Sequence, residues 1–371
     1  MKFQPRTFYS QILENIASVD PVKYGKSRNF INGAVTFLSP YISRGVISTK
    51  QVLESVLNRG YSIHSMETFV KELCWRDYFQ RIGQVRDMNA DLKFSQEKVM
   101  HHKLPSAIIN ATTAIKGIDL AITELYETGY MHNHCRMYVA SLVCNIAQSH
   151  WYLPSRWMYY HLLDGDFATN AGSWQWVAGS GSSKKYYANQ ENINRYTFTH
   201  QAGTYLDCTY EALAEMNVPE QLTEAQDLIL QTELPSGNQI VIDPNSPTFI
   251  YNYYNLDPLW HGNEKGNRIL LLEPEHFQQY PVSKKCIDFM LGLSANIPDL
   301  QIYIGSFQSL QTNYQHQSIY FKEHPLNKGY NGIEESRDWI CEEVSGYYPS
   351  FFSYWKKIER QLAKKYKHSN A

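Results

Sequence analysis

The sequence predicts a mainly α protein in which a helical region, residues 1–231, precedes a small α/β unit, residues 238–371. Apolar residues recur at helical spacing through most of the first region, as Phe69 and Leu73 do. Short β-branched and apolar runs appear only after a turn-rich stretch at 232–239. The change in periodicity therefore marks a boundary between two kinds of structure.

Start and stop signals bound the predicted helices. Ser39 and Pro40 open one that ends at Gly60, because proline fits the first helical turn and glycine fits the position after the last. The other predicted helical segments are 62–85, 117–130, 135–152, 332–344 and 348–367.

Four short runs after the boundary predict strands at 240–243, 268–273, 301–305 and 318–321. A helical segment at 282–297 lies between the second and third runs, and the order strand, helix, strand favours a parallel sheet. The unit carries neither a GxGxxG nor a GxxxxGK[ST] pattern, so the sequence supports no nucleotide site there.

Composition excludes several classes of protein. The six cysteines show neither CxxC pairs nor zinc-like spacing, which argues against a disulfide framework, a zinc site or an iron–sulfur cluster. The N-terminus does not resemble a signal peptide, and no apolar run approaches the roughly 18 residues of a membrane span. We therefore expect a reduced, cytoplasmic protein that is not associated with a membrane.

Charge is distributed unevenly although the net charge is only −2. Residues 1–200 hold 21 Lys and Arg against 15 Asp and Glu, whereas residues 201–371 hold 13 against 21. The mildly basic first part permits binding of an anion or a nucleic acid, and the acidic second part is a candidate surface for a protein partner. A solvated surface explains the same charges without any partner.

One helical face carries a carboxylate and an indole. Glu72, Trp75 and Arg76 stand at positions i, i+3 and i+4. The simplest interpretation is an exposed Glu–Arg pair beside a core tryptophan. The alternative is a carboxylate and an indole that face a cavity, and spacing alone leaves both open.

The segment "GYMHNHCRMYVAS" places polar residues at the start of a helix. His132 and His134 would point about 200° apart on a helix, so we predict no metal site. Arg136 lies in an otherwise apolar helix and needs a carboxylate partner, because an unpaired buried charge is costly. Asp164 and Asp166 are the candidates.

Those aspartates belong to the stretch "LLDGDFATNAGSWQWVAGSGS", residues 162–182. Two carboxylates, an amide and two indoles are followed there by small residues that allow close approach. Asp-Gly-Asp resembles the start of a calcium loop, but the remaining ligands of that loop do not follow. The pattern favours a large planar ligand with hydrogen-bonding edges, held by helices.

Six segments in this order resemble the FAD-binding domain of the cryptochrome/photolyase family: "YGKSRNF", "LSPYISRGVIS", "ELCWRDYFQ", "GYMHNHCRMYVAS", "LLDGDFATNAGSWQW" and "GSGS". The resemblance runs from about residue 24 to about residue 225. It implies a helical FAD-binding domain of the cryptochrome/photolyase type that holds a U-shaped FAD. The chain would be CPD-photolyase-like and would lack the usual N-terminal antenna domain.

The resemblance also implies a set of cofactor contacts. Arg136 and Asp164 would pair beside the isoalloxazine ring, Asp166 would bond its N3/O2 edge, and Asn170 would face N5. The remaining implied contacts are Asn133, near the flavin and the adenine, and Tyr24, Thr36, Leu38 and Ser39, near the phosphates and ribityl chain.

Substrate and electron-transfer residues are implied in the same way. Glu72, Trp75, Met137 and Trp176 match positions that contact a flipped cyclobutane pyrimidine dimer, and Arg28 matches a DNA-phosphate position. Trp174 and Trp151 match the inner and middle members of the tryptophan chain that photoreduces the flavin. Glu72, Asn170, Trp151 and Trp174 are accordingly the predicted catalytic residues.

Some positions depart from the family pattern. The outermost chain tryptophan is expected near Lys98, His134 replaces an arginine, and "KKYYANQ" stands where "PYFRxFNP" is usual. The first hypothesis is a deoxyribodipyrimidine photo-lyase, which repairs DNA in blue light by electron transfer from reduced FAD. The alternative is a cryptochrome-like photoreceptor or redox flavoprotein that signals through the acidic second part. A third hypothesis is a relic of the family that serves as an interaction scaffold.

Overall fold

Helices dominate the first 222 residues of the computed structural model, which describes residues 3–237 and 239–366. The α-helices of this part are α1 (Tyr9–Ala17), α2 (Pro21–Ser27), α3 (Ser39–Ser43), α4 (Thr49–Leu57), α5 (Glu67–Val85), α6 (Ser106–Ile109), α7 (Lys116–Thr128), α8 (Asn133–Ser141), α9 (Tyr152–His161), α10 (Phe167–Ala178), α11 (Gln190–Thr197) and α12 (Tyr210–Ala214). A π-helical turn, Leu142–Ile146, follows α8, and a 3₁₀ turn spans Glu220–Leu222. Two short strands, β1 (Leu104–Pro105) and β2 (Ala225–Gln226), pair antiparallel.

The helix predicted from Ser39 to Gly60 is two helices. Gly45 interrupts it with φ +63°, and a Cβ at this position would lie 2.3 Å from the carbonyl oxygen of Tyr254. The chain restarts at Ser48, whose hydroxyl accepts a hydrogen bond from the Gln51 amide and caps α4. The segment predicted from 135 to 152 is likewise divided, because α8 ends in the π-helical turn and α9 begins only at Tyr152.

A parallel sheet forms after the boundary, as the strand–helix–strand order predicts. Its strands are β3 (Thr248–Tyr251), β4 (Asn267–Leu272), β5 (Leu300–Ile304), β6 (Ile319–Lys322) and β7 (Ile333–Glu335), in the order β5-β4-β3-β6-β7. The accompanying helices are α13 (Pro274–Gln279), α14 (Lys284–Ser294), α15 (Phe307–Asn313) and α16 (Phe351–Lys365). Ile250 of the central strand lies opposite Ile269 and Phe321, and all three side chains are buried in one apolar cluster.

Two of the sequence predictions in this region are wrong. Residues 240–243 form no strand, and Val241 is 77% exposed. The central strand is instead β3, whose four residues are all buried. The segment 332–344, predicted as a helix, contains the edge strand β7 and no helix. Glu335 in this strand accepts a hydrogen bond from the Trp260 indole at 2.7 Å. A tertiary contact therefore overrides the local helix propensity.

The chain as a whole is therefore α/β, and the mainly α description is not confirmed. Its described residues divide into two compact units. The first unit comprises residues 3–4, 23–35 and 86–230, and the second comprises residues 5–22, 36–85 and 231–366 without residue 238. No helix within the described ranges is both long enough and apolar enough to cross a membrane.

Candidate functional site

The first unit contains a largely buried ion pair between Arg136 and Asp164. Arg136 on α8 places Nη2 2.9 Å from both carboxylate oxygens of Asp164, and its Nε donates to the carbonyl oxygen of Met131 at 2.8 Å. The side chain of Asp164 is 4% exposed and that of Arg136 is 19% exposed. Asp164 is therefore the carboxylate partner that we predicted for Arg136.

Asp166 and Asn170 lie one turn apart at the start of α10. Asp166 caps the helix, because its Oδ1 accepts a hydrogen bond from the Thr169 amide at 2.8 Å. Asn170 donates from Nδ2 to the carbonyl oxygen of Ser155 at 2.8 Å. Both side chains are thus held in fixed positions on the helix that follows the ion-paired Asp164.

The two histidines at the start of α8 hold backbone groups. His132 accepts a hydrogen bond from the His134 amide, and the His134 ring contacts the carbonyl oxygen of Asn29 at 3.0 Å. Burial, with smaller contributions from His134 and Arg136, lowers the pKa of His132 to about 4, so its ring is neutral at pH 7. Asn133 is exposed at the first helical position. The described residues contain no group of three metal-ligating side chains.

The three tryptophans assigned to this unit have different surroundings. Trp151 is fully buried and its Nε1 donates to Asp91 at 2.6 Å. Trp174 is buried on α10, whereas Trp176 is 40% exposed and lies 5.8 Å from the Tyr186 ring. Trp176 is therefore the indole of this set that is open to a ligand. Lys98, at the expected position of a further tryptophan, donates to the Ala214 carbonyl oxygen at 2.9 Å.

Three buried polar atoms of α10 and of the α8 start lack a hydrogen-bond partner among the described residues. They are His132 Nε2, Thr169 Oγ1 and Trp174 Nε1. An unsatisfied buried group costs about 1–3 kcal/mol, so native structures usually supply a partner for it. These atoms, on the elements that carry Arg136 and Asn170, leave hydrogen-bonding capacity that a ligand can use.

Further predicted site residues belong to the second unit. Leu38 is buried just before α3, Thr36 Oγ1 accepts a hydrogen bond from the Leu38 amide at 3.4 Å, and Ser39 opens the helix. Glu72 and Trp75 lie on α5 and are half-buried.

One face of Trp75 is covered by a residue that no local sequence pattern predicts there. The ring of Phe351, on α16, stacks on the Trp75 indole with centroids 3.8 Å apart and planes 8° from parallel. Phe79 lies 5.5 Å away on the same helix as Trp75. The amphipathic pattern of 348–367 predicts α16 itself, but no local signal identifies its partner 276 positions earlier.

The predicted site residues are thus divided between the units. Those of the first unit are Tyr24, Arg28, Asn133, Arg136, Met137, Trp151, Asp164, Asp166, Asn170, Trp174 and Trp176, and those of the second are Thr36, Leu38, Ser39, Glu72 and Trp75. Tyr24 lies on α2, Arg28 follows that helix, and Met137 is half-buried on α8.

Comparison with known proteins finds one family over the middle of the chain. Residues 69–226 match the model of the FAD binding domain of DNA photolyase. A deoxyribodipyrimidine photo-lyase of Alkalihalophilus pseudofirmus is 29% identical over 181 residues, which is 46% of this chain and 36% of the relative. The enzyme of the same name from a Synechococcus species is 31% identical over 178 residues, 44% of this chain and 36% of the relative.

Solved structures resemble the chain only in part. A class III photolyase from Agrobacterium tumefaciens has a TM-score of 0.41 at 24% identity, covering 51% of this chain and 44% of its own. A cryptochrome from Synechocystis has a TM-score of 0.42 at 22% identity, covering 53% and 45%. The chain spans about a third of the length of the curated relatives named above. Residues 69–226 of this chain are thus similar to the FAD binding domain of DNA photolyase.

Proposed function

We propose that this protein uses blue light and FAD to split cyclobutane pyrimidine dimers in DNA. The observation that carries the proposal is the match of residues 69–226 to the FAD binding domain of DNA photolyase. Relatives that match over 181 and 178 residues are named deoxyribodipyrimidine photo-lyase. All six cysteines are free thiols, which fits a reducing compartment, and we place the protein in the cytoplasm.

The polar groups of the first unit fit FAD. An isoalloxazine ring offers acceptors along N1, O2, O4 and N5 and a donor at N3. The unit offers the Arg136–Asp164 ion pair and the three unsatisfied buried atoms of α10 and the start of α8. When bound, reduced FAD supplies the light-excited electron that splits the dimer. The residues that would hold it are Tyr24, Thr36, Leu38, Ser39, Asn133, Arg136, Asp164, Asp166 and Asn170. They make residues 1–231 a helical FAD-binding domain in this proposal, followed by the α/β unit from residue 238.

The residues assigned to the surroundings of the ring have distinct roles in this proposal. The Arg136–Asp164 pair sets local charge beside the ring, and each member keeps the other from being buried alone. Asp166 orients the start of α10, which fixes Asn170 one turn later. Trp174 and Trp151 are buried indoles, suited to pass electrons toward the cofactor from the protein.

Five residues are assigned to substrate recognition. Glu72 would accept hydrogen bonds from the thymine edges, while Trp75, Met137 and Trp176 would contact bases taken out of the duplex. Arg28 would contact a phosphate. The exposure of Trp176 supports its assignment, because a stacking platform must have an open face.

The test is light-driven repair. Purified protein with FAD and a reductant is illuminated with blue light in the presence of an oligonucleotide that carries one thymine dimer, and the restored thymines are counted. We expect repair in light only, reduced in Glu72→Ala but not in the control Glu67→Ala, whose carboxylate pairs with Lys71 on the same helix. A flavin-loaded protein that repairs nothing would contradict the proposal and favour the photoreceptor alternative.

A further inference from the structure

The apolar face of helix α16 is buried against the rest of the second unit. Phe351, Tyr354, Trp355, Ile358 and Leu362 are all buried. Ser350 and Ser353 form a capping box that fixes the first turn. The stack of Phe351 on Trp75 ties this turn to α5. The orientation of the helix is therefore set, and its other face is turned to solvent.

The outer face of α16 carries a row of cations. Lys356, Arg360 and Lys364 are exposed and follow each other at intervals of four, so they form a row of about 12 Å on one side of the helix. Lys357 is exposed beside it. Phe352, at the head of the row, is 66% exposed.

The row lacks counter-ions of its own. None of Lys356, Lys357, Arg360 and Lys364 makes an ion pair within residues 3–237 and 239–366, whereas Lys365 lies 3.8 Å from Glu54. Like charges four residues apart on a helix repel one another. A row of unpaired cations is therefore more stable against an anionic partner than in water alone.

The local charge is also opposite to that of its surroundings in sequence. Residues 201–350 hold seven Lys and Arg against 20 Asp and Glu, whereas 351–365 hold five against the single Glu359. Average composition does not explain such a concentration. It marks one helix face as cationic in an otherwise acidic half of the chain.

Two kinds of anionic surface attract a basic helix, and the structure favours one. A helix that lies on a membrane buries its own apolar face among the lipids. The apolar face of α16 is already occupied by the protein, and Phe352 alone does not replace it. A nucleic-acid backbone requires only exposed cations at regular spacing, which α16 provides. The helix also packs on α5, which carries Glu72 and Trp75, the residues assigned to the lesion.

We propose that the outer face of α16 binds the phosphate backbone of duplex DNA, through Lys356, Arg360 and Lys364. The inference rests on the proposed function for the presence of DNA, and it extends the DNA-binding surface beyond residues 69–226 to the C-terminal helix of the second unit.

The test is the salt dependence of binding to an undamaged DNA duplex by the full-length protein. Each phosphate contact contributes about 0.9 to the slope of log K against log salt concentration. We expect the variant K356Q/R360Q/K364Q to bind more weakly, with a slope shallower by about 2.7. The control K265Q/K284Q/K328Q removes three exposed cations from the same unit and should leave the slope nearly unchanged.

Three results would overturn the inference. The first is an equal slope in the two triple variants, and the second is a wild-type protein that does not bind the duplex. The third is an α16 variant that binds duplex normally but loses binding to phosphatidylserine vesicles, which would assign the row to a membrane. Repair of a thymine dimer by the wild-type protein is measured separately. Repair with an unchanged slope contradicts this inference alone, and a changed slope without repair contradicts the proposed function alone.

Discussion

Removing Asp164 tests whether the buried ion pair supports the flavin site. Asp164→Ala leaves Arg136 without the two carboxylate oxygens that lie 2.9 Å from its Nη2. Breaking a buried pair in this way costs about 3–5 kcal/mol. Because the Arg136 side chain keeps 19% exposure, water can reach it and we expect the lower end, about 3 kcal/mol. FAD occupancy should fall with stability.

The assay separates the loss of a charge partner from the loss of a flavin contact. Urea unfolding gives the free energy of folding, and the flavin released on denaturation gives occupancy. The double variant Arg136→Met/Asp164→Ala removes both charges and should regain most of the stability of the apoprotein without regaining flavin. Normal flavin occupancy in Asp164→Ala, or an unfolding free energy equal to that of the wild type, would refute the reasoning.

Three further predictions concern packing, pH and the substrate. Phe351→Ala should lower the free energy of unfolding by about 3–5 kcal/mol, because the ring is buried against Trp75. The control Phe352→Ala, on the exposed side of the helix, should change it by less than about 0.5 kcal/mol. Equal effects of the two variants in urea unfolding would contradict the stack. The pKa of His132 is about 4 in the folded protein and 6.5 in the unfolded chain. The stability that the neutral ring provides is therefore complete above pH 6.5 and is lost as the pH falls toward 4. His132→Gln should flatten the pH dependence of the unfolding free energy over that window, and the exposed-site control His64→Gln should not. Trp176→Ala should leave stability unchanged but weaken binding of a dimer-containing oligonucleotide by about 1–3 kcal/mol in a gel-shift titration, and an unchanged affinity would remove Trp176 from the substrate site.

Some parts of this structure could be predicted from short segments of the sequence alone. An arginine in an apolar helix required a carboxylate, and Asp164 meets that requirement. The predicted strands at 268–273, 301–305 and 318–321 lie within one or two residues of β4, β5 and β6. Their apolar runs are bounded by turns, so their periodicity was easy to recognise.

Other parts depend on contacts that no local pattern contains. The segments 240–243 and Thr248–Tyr251 are both rich in strand-favouring residues, yet only the latter is enclosed by two neighbouring strands. Glu334 and Glu335 favour a helix locally but lie in an edge strand. The position of Phe351 over Trp75 follows from the packing of α16 on α5, which sequence spacing does not show.

The amount of FAD that the purified protein retains shows whether this chain binds the cofactor. Purified protein is reconstituted with excess FAD, unbound cofactor is removed, and the FAD released by denaturation is quantified against protein. We expect one FAD per chain in the wild type and a large loss in Asp164→Ala. A wild-type protein that retains no FAD after reconstitution would contradict it, and with it the proposed light-driven repair.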